Sequence, residues 1–108
     1  MAFQTRSRER DQTTDINRYR TLLLAVERSV DEVRKEREGL QRRLDEHLLR
    51  ASSIVDNSGA FGSRDPQDEK DIEESERQIQ WVRQRLGELE RQSSELDGVR
   101  AQVSGLLG

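Results

Sequence analysis

From Ile16 onward the apolar residues step by three and four. The series runs Ile16, Tyr19, Leu23, Val26, Val30, Val33, Leu40, Leu44, Ala51 and Ile54, with polar residues between. Set Ile16 at position a of a heptad. Position a then holds Ile16, Leu23, Val30, Arg37, Leu44 and Ala51, and position d holds Tyr19, Val26, Val33, Leu40, His47 and Ile54. Such spacing places one apolar stripe along a helix, and the stripe needs a partner. A second series has the same period. Its a positions are Ile72, Ile79, Leu86, Ser93, Arg100 and Leu107, and its d positions are Ser75, Val82, Leu89, Leu96 and Val103.

Between the two series lies Asp56 to Asp71, which holds the only proline, two close glycines and the densest run of acid. This stretch predicts the tip of a hairpin. Asp-Asn-Ser-Gly carries turn signals that stop the first helix near Asp56, and Gly59 can take a positive φ beyond it. Asp65 suits an N-cap and Pro66 the first helical position, while Asp68, Glu69 and Asp71 complement the positive end of the helix dipole. At the other end, Thr13 or Thr14 can cap the first helix. The expected organisation is a flexible tail over 1–13, a helix over 14–56, a tip loop over 57–64 and a helix over 65–107.

Folding the arms together around the tip pairs residues whose numbers sum to about 126. Ile54 then lies by Ile72, Ala51 by Ser75, Leu44 by Val82, Leu40 by Leu86, Val30 by Leu96 and Leu23 by Val103. Each a layer meets a d layer, as antiparallel helices require. The predicted fold is all-α: a long antiparallel two-helix coiled-coil hairpin with arms of about 60 Å. One hairpin buries a single seam, so dimerisation into a four-helix bundle is expected. Acid-first pairs four apart, such as Asp31 with Lys35, Glu38 with Arg42 and Glu46 with Arg50, support exposed helix surfaces.

Composition agrees with this picture. Apolar residues make up 31% of the 108 residues and charged residues 38%, which suits a narrow seam better than a globular core. There are no cysteines and one histidine, which excludes disulfides, thiolate zinc sites and histidine-rich metal sites. No apolar run approaches the roughly 20 residues of a membrane span, and the first ten residues lack the apolar core of a signal peptide, so a cytoplasmic protein is expected. The net charge of −3 is uneven: residues 55–75 carry −5 and residues 16–54 carry +2. That balance lacks the basic footprint of a duplex DNA binder, so direct nucleic-acid binding is not expected. Arg6, Arg8 and Arg10 make a short basic cluster mixed with acid, which reads as a solvated tail or a contact for an acidic partner.

Few residues offer chemistry. His47 falls on the seam opposite Ile79, with no partner ligands in the pattern. Arg37 and Arg100 interrupt a positions, where polar residues fix register, and their guanidinium groups can reach acids such as Glu90 or Glu27. Gly39 and Gly87 fall at the same height on opposing helices and suggest a hinge or a close approach. The tip acids lack the spacing of a calcium loop and read as helix caps. No nucleophile has a histidine partner and no glycine motif cradles phosphate, so neither enzyme activity nor a cofactor or metal is expected.

The candidate partner-binding residues are apolar. Leu22, Val99 and Leu106 fall at g, beside the seam and far from the tip, where Leu22, Leu23 and Leu24 cannot all face one helix. Phe3 of the tail could instead cover them. Trp81 falls at an outward c position, where it could anchor a partner or lie under Arg85 or Arg43. Phe61, between two glycines, could insert into a partner or fold onto Ile54 and Val55. The expected function is a non-enzymatic protein–protein interaction module: an adaptor, scaffold or assembly subunit that binds a protein partner, itself, or both. In shape alone the chain also resembles two other groups. One is the bacterial transcript-cleavage factors, whose acidic-tipped hairpins enter RNA polymerase, although these carry a further globular or zinc-bearing domain. The other is the stalk proteins of export ATPases. That resemblance implies a regulator of nucleic-acid machinery or an export-apparatus component.

Overall fold

A computed structural model of the chain describes residues 7–60 and 66–108. Two long helices, α1 (Arg8–Ala60) and α2 (Pro66–Leu106), pack against each other as a hairpin. Helix α1 begins earlier than the threonine caps predict. Ser7 is the residue that caps it, its Oγ accepting from the Arg10 amide at 3.1 Å. The Thr13 and Thr14 hydroxyls instead donate to the carbonyls of Glu9 and Arg10, each at 3.0 Å, a bond that side chains make inside a helix. Residues 8–13 are therefore helical, and of the expected tail only residues 1–6 lie outside the described residues. At its far end α1 continues through Asn57, Ser58 and Gly59 to Ala60 rather than stopping at Asp56. Each added residue gains a backbone bond that offsets a modest propensity cost, so turn-prone residues alone do not end a helix. Helix α2 opens with Pro66 at its first position, as expected, with Asp68 and Glu69 in its first turn. The proposed cap Asp65 lies outside the described residues.

The helices divide into two units. One comprises residues 34–91. In its seam Leu40, Leu44, Ile72, Ile79, Val82 and Leu89 are buried, and Val82 and Leu89 are fully so. Ser75, the small d residue paired with Ala51 in the sequence reading, is buried as well. Burying a leucine or valine side chain contributes about 1.5–3 kcal/mol, so these six residues dominate the unit's stability. Arg37 and Leu89 share a layer in the predicted register. Arg37 is half-buried and Leu89 has no exposure, as expected if the arginine stem covers it.

The other unit comprises residues 1–33 and 92–108. Among its described residues only Val33 and Val103 are buried. Tyr19, Leu23, Val26, Val30, Leu96 and Leu107 are half-buried, and Ile16 is 40% exposed. Here one helix covers its partner's stripe only in part.

Candidate docking surface

In residues 34–91 the flank of the seam carries charge. Arg85 Nε donates to Glu36 Oε2 at 2.9 Å and Arg85 Nη2 donates to Glu36 Oε1 at 3.2 Å, a two-pronged bond between the helices. Both residues occupy g, and their opposite signs at facing positions are the sequence signal for this pair. The bond holds the guanidinium protonated more firmly than an isolated one, chiefly through hydrogen bonding to Glu36. Trp81, one turn before Arg85, is 52% exposed.

On the opposite flank Arg37, Leu86 and Glu90 line a groove of about 380 Å3 together with Arg34, Glu38 and Gln41. Arg37 and Glu90 therefore lie together, as the register predicts. Arg100 does not reach across. Its Nη2 bonds Asp97 Oδ1 on its own helix at 3.1 Å, because that acid lies one turn away and needs no extension of the side chain. Likewise Glu38 takes Arg34 at 2.8 Å, a residue one turn before it, where the sequence pattern paired it with Arg42.

His47 is half-buried, and its Nδ1 is enclosed with no hydrogen-bond partner among the described residues. Glu74 lies near it. Bonds from Arg77 at 2.7 Å and from Gln78 at 3.0 Å hold the Glu74 carboxyl below its ordinary range, and the His47 ring adds a smaller pull in the same direction. Among the described residues no group of three or more carboxylate or imidazole side chains gathers around a common point.

In the unit of residues 1–33 and 92–108, the flank at g carries three aliphatic residues beside the polar Asp15, Ser29 and Gln92. Leu22, Val99 and Leu106 are 51%, 42% and 54% exposed. Leu22 shares a groove of about 590 Å3 with Arg18, Thr14, Asn17 and Thr21 on α1. Val99 shares another, of about 440 Å3, with Ser29, Glu32, Val33, Gln92, Glu95 and Leu96. The second groove combines residues from both helices in the register read from sequence, since Val33 and Ser29 of α1 meet Gln92 and Leu96 of α2. Of the sequence-named candidates, Leu22, Val99 and Leu106 thus share one flank of one unit. Trp81 belongs to the other unit, and Phe61 and Phe3 lie outside the described residues. Leu24 at b is 63% exposed, and Leu48 and Leu49 add apolar exposure that the heptad reading had not singled out. No described helix is long and apolar enough to cross a membrane. Compared with protein-family models, curated proteins and solved structures, the chain matches none.

Proposed function

We propose that this chain is a non-enzymatic protein–protein interaction module, a coiled-coil scaffold or assembly subunit of the cytoplasm. Its docking face is the flank bearing Leu22, Val99 and Leu106. One observation carries the reading: the unit with the least-buried seam is also the one with three aliphatic side chains half-exposed along a single flank. Aliphatic surface gathered in this way marks association sites on proteins in water. Covering the exposed half of each side chain is worth about 1 kcal/mol. Two further helices laid on the flank make a four-helix bundle, which encloses stripes that a pair of helices leaves half open.

Sedimentation equilibrium tests this directly. The wild-type chain is expected to sediment well above its 12.6 kDa monomer mass. Leu22→Glu with Leu106→Glu should shift it toward monomer while circular dichroism retains the helix content. A monomeric wild type, or a double variant of unchanged mass, overturns the reading.

A further inference from the structure

The face that carries Leu22 also carries a reversal of charge. Arg18, Ala25 and Glu32 occupy successive c positions on α1, all exposed, beside Leu22 and Ser29 at g. Arg18 shares the groove of Leu22. Glu32 and Glu95 share the groove of Val99 and Ser29. The face therefore carries Arg18 at one end, loosely paired with Asp15, acid at the other, and a small residue at its midpoint.

Rotation by half a turn about an axis across the helices superposes such a face on its own complement. We infer that the partner is a second copy of this chain, docked with its α1 antiparallel to the first and with the two-fold axis passing at Ala25. This rests on the docking face proposed above and specifies its occupant. Arg18 then meets Glu32 of the second copy, with Glu95 at the same height. Leu22 meets the partner's small Ser29, and the two Ala25 residues face each other, where short side chains let the helices approach. A two-fold contact satisfies each pair twice, so the reversal need occur only once in the sequence. The other in-plane axis, along the helices, sets Glu32 against the partner's acidic Glu95 and leaves Arg18 without an acid opposite.

Arg18 is available for this role. Its one ion pair among the described residues, with Asp15, is loose at 3.8 Å, and its side chain is 73% exposed. Glu32 and Glu95 are exposed and hold no ion pair among the described residues. Such charges set orientation and partner choice more than affinity.

Two measurements on the full chain test the arrangement. The first uses the absence of native cysteine. Ala25→Cys should give a disulfide-linked dimer under mild oxidation, because a residue on a two-fold axis meets itself. Arg28→Cys, off this face, should not. The second is charge exchange. Arg18→Glu should weaken self-association at least roughly tenfold at low salt, and Glu32→Arg added to it should restore most of the loss. Arg18 and Glu32 stand about 21 Å apart on one helix, so recovery comes only from across an interface. If the wild type dimerises and Leu22→Glu with Leu106→Glu dissociates it, the docking face stands. If Ala25→Cys then stays uncrosslinked, or Glu32→Arg fails to rescue, this arrangement is overturned while the face remains. A monomeric wild type overturns both.

Discussion

His47 shows how much one seam position can differ from its neighbours. Position d elsewhere in residues 34–91 includes Leu40, Ser75, Val82 and Leu89, all buried, and the half-buried Ile54. His47 brings a ring whose Nδ1 is enclosed without a hydrogen-bond partner among the described residues. An enclosed polar atom left unpaired costs about 1–3 kcal/mol. Leucine at the same position would remove that cost and fill the layer by Ile79. His47→Leu is therefore expected to raise the thermal midpoint, measured by circular dichroism in dilute solution. A lower midpoint would mean that the imidazole holds a bond, through water or another group, that is worth more than aliphatic packing.

At the scale of the helices, Gly39 and Gly87 are residues whose replacement should stabilise the chain. A methyl group added at either meets nothing within 4 Å, so no neighbour within the chain requires glycine there. Each glycine inside a helix costs about 1 kcal/mol relative to alanine. Gly39→Ala with Gly87→Ala should thus raise the midpoint by several degrees, about 4 °C or more for each. If it falls, the glycines serve a bend or an external contact.

The helices also show what the sequence revealed and where it stopped. Every described residue that is buried falls at a or d, because in a two-helix fold burial follows from position around the helix. Heptad spacing records that position residue by residue. Helix ends were less legible. Ser7 caps α1 ahead of Thr13 and Thr14, since several hydroxyls can compete for one terminus and the choice depends on how far upstream the helix can extend. The bonds of Arg85 to Glu36 and Arg100 to Asp97 depend on side-chain reach, which spacing only bounds. The aliphatic flank was legible in its members. The grooves that join Leu22 to Arg18 and Val99 to Glu32 were not, because they arise from side-chain placement.

For the molecule as a whole, association and stability are linked. Anything that binds only the folded chain raises its stability by mass action. The midpoint of thermal unfolding should therefore climb with protein concentration, a trend that calorimetry across a hundredfold range would show. Leu22→Glu with Leu106→Glu should flatten it. A midpoint independent of concentration in the wild type would mean that folding is complete without a partner.

The uneven seam also sets an order of assembly. Residues 34–91 join stretches close in sequence around the tip, so their contacts form after the closure of short loops. Residues 1–33 and 92–108 join stretches separated by most of the chain, and they gain less burial when they meet. If residues 34–91 pair first, the flank proposed for docking is the last surface to form. A partner that recognises residues from both helices at that end reads more than sequence. It distinguishes a chain that has finished folding from one that has only begun.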